Sequence, residues 1–221
     1  HRFLENQLLI ITPPFTQLNT PYPSTAYLKG FLNTKNISCV QADLGIEVIL
    51  EIFSKKGLVN LFDEIASLSI ELSENAQRIV ALKSEYIKLI DPIVNFLQGK
   101  TPTLSHTICQ PNFLPQAARF DQLEELEWAF GIMGLQDKAK HLATLFLEDL
   151  SDLIIETVDP HFGFSRYAER LGMSANSFDE LYSNLHKEPT FVDKILLTIL
   201  KERIEETNPK MIAFSVPFPG L

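Results

Sequence analysis

A short, uninterrupted run of apolar residues near the start of the chain does most to restrict its possible folds. Leu8-Leu9-Ile10-Ile11-Thr12 contains no polar residue before its last position, and Pro13-Pro14 follows directly. A strand with one face in water alternates apolar and polar residues, whereas a continuous apolar run is typical of a strand covered on both faces, as in parallel sheets. Proline cannot donate to a strand ladder, so the proline pair ends the strand. We therefore predict a central strand of a parallel sheet over residues 8–12.

The residues after this strand continue as a strand–helix–strand unit. Ser24 and Thr25 follow a proline-rich loop and offer N-caps for a helix that includes Ala26-Tyr27-Leu28-Lys29-Gly30-Phe31-Leu32. Residues 36–43 then alternate and end in an acidic residue, which predicts a second strand. Two strands joined in this way are expected to run parallel, with a right-handed crossover.

A third strand is predicted far along the chain, over residues 210–216, where Pro217-Phe218-Pro219-Gly220 ends an apolar run. A helix over residues 191–206 leads into it and stops at Asn208-Pro209. Doubly wound sheets usually contain five or six strands. We therefore expect an α/β fold with a partial doubly wound parallel sheet of order 2-1-3, truncated after its third strand.

The segment between the second and third strands is surplus to the sheet, because a crossover needs only a short connection. Its apolar residues recur at helical spacing, which predicts a large all-helical insert. The expected domains are residues 1–45 with 190–221, forming a Rossmann-like domain, and residues 46–189, forming the insert. Gly57 is expected to end the first insert helix, and Pro92 to break or restart a later one, because proline costs about 3 kcal/mol inside a helix.

Composition narrows the classes of partner. The formal net charge is −9, and no basic cluster is present, so the sequence lacks the footprint of a nucleic-acid-binding protein. No apolar stretch has the length of a membrane span, and the first residues do not match a signal peptide. Cys39 and Cys109 are the only cysteines, which favours reduced thiols over a disulfide framework. We expect a cytoplasmic protein.

Side chains suited to ligand binding follow the ends of the predicted strands. In open parallel sheets, ligands bind beyond the carboxyl ends of the strands, where the strand order reverses. Alternatively, Asp43 caps the next helix, and Thr12 and Ser215 satisfy loop backbone. The candidate cofactor-binding residues are Thr12, Pro13, Pro14, Phe15, Asp43, Ser215 and Pro217.

Common enzyme motifs do not occur in this sequence. The first turn has no glycine to let a pyrophosphate approach the backbone, so a bound NAD is not expected. The patterns G-x-x-x-x-G-K-[ST], H-E-x-x-H, G-x-S-x-G and paired C-x-x-C are also missing. No catalytic or metal-binding residue is therefore assigned to this chain.

Four segments carry a likeness to a known family. They are Ile11-Thr12-Pro13-Pro14, Pro21-Tyr22-Pro23 with the helix that follows, Val40-Gln41-Ala42-Asp43-Leu44, and Ile212-Ala213-Phe214-Ser215-Val216. Together they resemble the N-terminal cobalamin-binding-type domain of radical S-adenosylmethionine proteins, such as Fe-S oxidoreductases related to the anaerobic magnesium-protoporphyrin ester cyclase. The long insert is not part of the general pattern of that family.

The resemblance has implications for cofactors. It implies that a cobalamin is a possible ligand, with its nucleotide tail near Ser215 and no protein histidine below the cobalt. It also implies a C-terminal barrel outside this chain, where a C-x-x-x-C-x-x-C loop holds a [4Fe-4S] cluster and S-adenosylmethionine is bound. Three cysteines hold such a cluster, and this chain has two, so the radical step is expected outside it.

Asp159, His161 and Arg166 form the most reactive-looking local group. Their segment nearly matches D-x-H-x-x-G, the loop whose histidine binds cobalt in one class of cobalamin domain. Gly163 comes one residue early, however, and the segment lies in the insert instead of after the first strand. The alternative interpretation is a polar connector between two helices, with Asp159 as a cap.

Three functional hypotheses follow. The first is a cobalamin-binding-type module of a radical S-adenosylmethionine oxidoreductase or methyltransferase, whose partners are a corrinoid or another small molecule and its own C-terminal barrel. The second is an α/β scaffold whose helical insert is an interaction or regulatory module without a corrinoid. The third is a self-contained enzyme that uses Asp159, His161 and Arg166.

Overall fold

The structure, a computed structural model, describes residues 8–14, 23–121, 134–164 and 178–215. The chain divides into two units, which we name the sheet unit (His1–Leu50 with His161–Leu221) and the helical unit (Glu51–Pro160). In chain order the described elements are β1 (Leu8–Thr12), α1 (Ser24–Thr34), β2 (Cys39–Asp43), α2 (Leu44–Ile52), α3 (Lys55–Ser67), α4 (Glu74–Ala81), α5 (Lys83–Leu97), α6 (Ser105–Ile108), α7 (Leu135–Thr157), α8 (Phe178–Leu185), α9 (Phe191–Thr207) and β3 (Met211–Phe214), with 3₁₀ turns at Pro102–Leu104 and Ala118–Phe120.

The sheet has three parallel strands in the spatial order β2-β1-β3. In its register Leu9 pairs with Val40 and Ile212, so β1 lies between the two other strands. Leu9, Ile10 and Ile11 are almost completely buried, as the continuous apolar run of β1 predicted. The predicted α/β class, the parallel sheet and the order 2-1-3 are therefore confirmed.

Helices cover the two faces of this sheet. Leu9 and Ile11 form one buried cluster with Ala42 and Leu44, and apolar residues of α9, among them Leu196 and Leu200, pack against that cluster. On the opposite face, the thiol of Cys39 lies 4.0 Å from the carbonyl oxygen of Lys29 in α1. Because successive strand residues point to opposite faces, α1 and α9 cover different sides of the sheet, as in a doubly wound fold.

Helix α9 has a well-defined start, end and tertiary contact. It begins with a capping box, in which Asp193 N–H donates to the Thr190 hydroxyl and Thr190 N–H donates to the Asp193 carboxylate. It ends at Asn208, whose φ of 40° is in the left-handed region that asparagine tolerates better than most residues. Within α9, the guanidinium of Arg203 donates a hydrogen bond of 2.7 Å to the carboxylate of Glu47 in α2.

The helical unit has its own buried core. The rings of Tyr86 and Phe146 stack with their centroids 4.9 Å apart, which joins α5 to α7. The core side chains of this unit that are at most 2% exposed include Ile52, Phe53, Leu58, Leu61, Ile79, Ile90, Ile93, Phe96, Ile108, Leu150, Leu153 and Ile154. This large apolar surface removed from water is the main source of stability for the unit.

Two predictions for the insert were wrong. Gly57 does not end a helix: it lies in the first turn of α3, where its N–H donates to the N-cap hydroxyl of Ser54 over 2.9 Å. A Cβ atom at Gly57 would lie 2.0 Å from the carbonyl oxygen of Glu51, so the position requires glycine for a close backbone approach. Pro92 does not break or restart a helix either, since α5 runs through it.

The continuation of α5 through Pro92 has a structural cause. Ile90, Ile93 and Phe96 around it are buried, and the side chain of Asp91 accepts a hydrogen bond of 2.9 Å from Lys55 N–H. Burial of three large apolar side chains outweighs the cost of about 3 kcal/mol for an interior proline. None of the described helices combines the length and apolar composition needed to cross a membrane.

Candidate functional site

The predicted strand-end residues lie in one row along the carboxyl edge of the sheet. Thr12 pairs in register with Asp43, and Ser215 N–H donates to the carbonyl oxygen of Ile11 over 2.8 Å. Two strand spacings of about 4.8 Å put Asp43 and Ser215 roughly 10 Å apart on opposite sides of Thr12. Pro13 and Pro14 follow Thr12 and are half-buried, while Phe15 and Pro217 lie outside the described residues.

The first turn of α1 contacts this row. The hydroxyls of Ser24 and Ser215 form a short hydrogen bond, and the hydroxyl of Thr12 lies 3.5 Å from that of Thr25. The prediction that Ser24 and Thr25 cap α1 was wrong, because Pro23 holds the N-cap position and no side-chain cap bond is formed. Their hydroxyls instead bind the ends of β3 and β1, and thereby attach the start of α1 to the sheet.

The two hydroxyl pairs differ in their access to solvent. The Thr12–Thr25 pair is enclosed, with the two residues 1% and 7% exposed. Ser24 and Ser215 are both half-buried. Of the two pairs, the serine pair is therefore the more exposed to solvent.

Asp43 has a structural role at the start of α2. Its Oδ1 atom accepts a hydrogen bond of 3.1 Å from Ile46 N–H, and α2 begins at the next residue, Leu44. This is the helix-capping role that was the alternative to ligand binding. The hydroxyls of Thr12 and Ser215, by contrast, contact side chains of α1.

The serine pair lies where the strand order reverses. The chain passes from β1 outward to β2 and later returns across β1 to β3, so the reversal lies between β1 and β3. This is the position at which open α/β sheets bind ligands. Ser24 and Ser215 offer neutral groups that both donate and accept hydrogen bonds, which suits amide, carbonyl and hydroxyl groups of a ligand. Sequence analysis missed Ser24 as a site residue, although a hydroxyl in the first turn after a strand end was the available signal.

The structure describes two members of the group of Asp159, His161 and Arg166. Asp159 belongs to the helical unit and is completely buried. Its N–H donates a hydrogen bond of 2.9 Å to the carbonyl oxygen of Ile154. His161 belongs to the sheet unit, and Arg166 lies outside the described residues. A site formed by these three residues stays a prediction.

A buried carboxylate organises the helical unit. Asp149 of α7 is inaccessible to solvent and accepts hydrogen bonds from the Tyr86 hydroxyl (3.1 Å) and from the N–H groups of Ala117 and Arg119 (both 3.0 Å). Burial raises the pKa of Asp149, and the two backbone donors oppose that rise. Burial and the charge of Asp149 also raise the pKa of Tyr86. The three donors are neutral groups of α5 and of the turn at residues 117–119, and through them Asp149 holds this turn and α5 to α7.

Arg119 adds a second contact between the same turn and α7. Its guanidinium donates to both carboxylate oxygens of Asp152, at 2.6 Å each, and this hydrogen bonding raises its pKa. Sequence analysis missed Asp149 and Asp152, because both lie in a helical pattern that also contains solvated acidic residues. In the described part of the chain, no group of three or more His, Cys, Asp and Glu side chains is arranged to hold a metal ion.

Comparison of the chain with protein-family models, with curated proteins and with solved structures gives no match in any of the three.

Proposed function

We propose that the sheet unit is a ligand-binding module of the cobalamin-binding type, and that it belongs to a radical S-adenosylmethionine protein that acts as an Fe-S oxidoreductase or methyltransferase. The observation that carries the proposal is the accessible Ser24–Ser215 pair at the reversal point between β1 and β3. The segments that resemble the family include residues of β1, β2 and β3, and β1 and β3 flank this point.

The chemistry of the described residues fits a corrinoid. The rim of a corrin ring carries neutral amide side chains, which need hydrogen-bond donors and acceptors. Ser24 and Ser215 are such groups. The first loop, residues 13–23, has no histidine, so this loop would supply no imidazole ligand to a corrinoid.

A bound corrinoid supplies a cobalt centre that carries a methyl group or transfers electrons. The residues of this chain would bind and orient it: Ser215 is held by its N–H bond to Ile11, and Ser24 is held by the first turn of α1. The [4Fe-4S] cluster and S-adenosylmethionine would be bound by polypeptide outside this chain, because Cys39 and Cys109 are too few for the cluster.

Titration of hydroxocobalamin into the 221-residue chain tests the proposal. We expect saturable binding by the wild type, loss of binding in Ser215→Trp, which fills the end of β3, and unchanged binding in His161→Ala. Circular dichroism checks that both variants remain folded. Loss of binding in His161→Ala alone would move the site away from the strand ends and contradict the proposal.

A specific observation also favours a second function, in which the sheet is a scaffold and the helical unit an interaction module. The helical unit has a buried core and a fully hydrogen-bonded Asp149 of its own. A folded wild-type chain that does not bind hydroxocobalamin would favour this scaffold function over the corrinoid module.

A further inference from the structure

We propose that an open groove of the helical unit, between α5 and the turn that leads to α6, is a binding site for a neutral saccharide. The groove has a volume of about 460 Å³, which lies in the range of small-molecule sites. It belongs wholly to the helical unit, so the proposal does not depend on the function of the sheet unit. Helix α5 supplies one wall with Asp91, Pro92 and Asn95, and the segment after it supplies the other with Thr101, Thr103, Leu104 and Thr107.

Within the described chain, the three threonine hydroxyls of this groove differ from all others in forming no hydrogen bond to the protein. Thr101 lies at the N-cap of the 3₁₀ turn and makes no side-chain cap bond, although threonine is a favoured cap residue. In the same described part, Thr103 and Thr107 form no side-chain hydrogen bond either. The other described threonine hydroxyls each have a partner within 3.5 Å, at Thr12, Thr25, Thr34, Thr144, Thr157, Thr190, Thr198 and Thr207.

Asp91 and Asn95 add a carboxylate and an amide to the opposite wall. They are four residues apart in α5, so they lie on the same side of that helix. The Oδ1 atom of Asp91 accepts Lys55 N–H over 2.9 Å, which fixes the carboxylate and leaves Oδ2 as an acceptor for a ligand. The amide of Asn95 both donates and accepts. The hydroxyls of a sugar, which also donate and accept, match this set of groups.

The apolar groups and the charge of the lining restrict the ligand class further. Pro92 is exposed, and a proline inside a helix is costly, so the burial of its neighbours does not by itself account for a proline here. Its rigid ring and the side chain of Leu104 give an apolar surface against which the C–H face of a sugar ring can pack. The lining contains one carboxylate and no cationic side chain, which disfavours phosphate and carboxylate ligands.

The turn that carries the threonines is held in place at both ends. The side-chain amide of Gln136 in α7 donates to the carbonyl oxygen of Pro102 and to the hydroxyl of Ser105, both over 2.9 Å. Lys100 N–H donates to the carbonyl oxygen of Asn95 over 2.9 Å. A preformed groove lowers the entropic cost of binding. Because the groove is open and leaves much of a ligand in water, we expect a Kd in the millimolar range.

Backbone amide NMR spectra of the 221-residue chain, titrated with maltose, galactose and mannose, test the proposal. We expect saturable shifts at the groove with at least one of the three sugars. Asn95→Ala and Thr103→Val each remove one ligand contact and should weaken binding by about two- to tenfold. Thr144→Val is the matched control, because its exposed hydroxyl bonds to the Lys140 carbonyl within α7, and it should leave Kd unchanged.

Two results with sugars would overturn the saccharide site. One is the absence of saturable shifts with all three sugars at about 0.1 M, a hundredfold above a millimolar Kd, in a chain whose spectrum is that of a folded protein. The other is sugar binding that Asn95→Ala and Thr103→Val both leave unchanged.

Titration with trialanine tests a peptide as the alternative ligand. Shifts at the groove with trialanine, and none with the sugars, would assign the groove to peptides and contradict the proposal. None of these measurements involves hydroxocobalamin, so the saccharide site and the corrinoid module can each fail while the other stands.

Discussion

The hydroxyl of Tyr86 and the carboxylate of Asp149 are joined by a hydrogen bond of 3.1 Å between two side chains that are closed to solvent. The Oδ2 atom that receives this bond also accepts Ala117 N–H, and Oδ1 accepts Arg119 N–H. Because an ionised carboxylate has only acceptors, it can satisfy all three donors at once.

Asp149→Asn is expected to destabilise the chain by about 1–3 kcal/mol. The amide group of asparagine has one acceptor oxygen, so in either orientation one backbone N–H of the turn loses its partner. Urea unfolding followed by circular dichroism measures the change. The control is Asp152→Asn, which alters a partly exposed ion pair with Arg119 and should cost about 1 kcal/mol or less. Equal costs for the two variants would contradict the role of Asp149.

Tyr86 is expected to make the folded state sensitive to alkaline pH. Its pKa in the folded chain is raised above the ordinary value of 10.0, so the unfolded chain releases this proton first. The stability that Tyr86 contributes is complete below that value and is lost as the pH rises above it. The urea midpoint of the wild type should therefore fall between pH 9 and pH 11, whereas that of Tyr86→Phe should fall less. Tyr27→Phe, with a ring that is 77% exposed, should behave like the wild type.

Substitution by alanine is expected to have opposite effects on stability at Gly57 and at Gly30. Gly57→Ala places a Cβ atom 2.0 Å from one backbone oxygen and 2.4 Å from another, so the chain must shift, at a cost of about 3 kcal/mol. Gly30 is inside α1 and has no atom within 4 Å of the added Cβ, so Gly30→Ala should stabilise by about 0.5–1 kcal/mol. Thermal unfolding measures both changes, and a Gly57→Ala variant as stable as the wild type would contradict the close backbone approach at Gly57.

Arg203 is expected to contribute a small amount to the stability of the sheet unit. Its hydrogen bond to Glu47 raises its pKa and joins α9 to α2, but the Arg203 side chain is 40% exposed, which limits the contribution to the free energy of unfolding to about 1 kcal/mol. Arg203→Met keeps the aliphatic part of the side chain and should lower the unfolding midpoint slightly. Lys201→Met removes an exposed pair with a distance of 3.9 Å and should have no measurable effect. A larger fall in the unfolding midpoint for Lys201→Met than for Arg203→Met would contradict the stabilising role of Arg203.

The sheet could be predicted from the sequence because local patterns specify it. The apolar run of β1, its proline stop and the helix before β3 each follow from residues close together in the chain. The continuous apolar run of β1 indicates a strand covered on both faces, which favours a central position between β2 and β3. Long-range packing determined the features that local sequence patterns predicted wrongly. Helix α5 continues through Pro92, for example, because the neighbouring side chains are buried.

The site was only partly predictable for a related reason. Thr12, Asp43 and Ser215 were identified because strand ends are recognisable in sequence, and the structure places them in one row. The partner of Ser215 is Ser24, which lies 191 residues earlier, and no periodic pattern reports a contact of that separation. Asp149 was missed because its burial depends on a turn, residues 117–120, that comes from a different part of the chain.

The exposed apolar side chains of β3 are expected to promote association of the chain at high protein concentration. Met211, Ile212 and Phe214 are 65%, 38% and 55% exposed, and among the described strands β1 is the one neighbour of β3. An edge strand with exposed apolar side chains and backbone groups open to pairing is a site of aggregation. Lys210 is the charged residue next to this strand. Phe214→Lys adds a charge to this edge and is therefore expected to reduce association of the chain at the concentrations that crystallisation and NMR require.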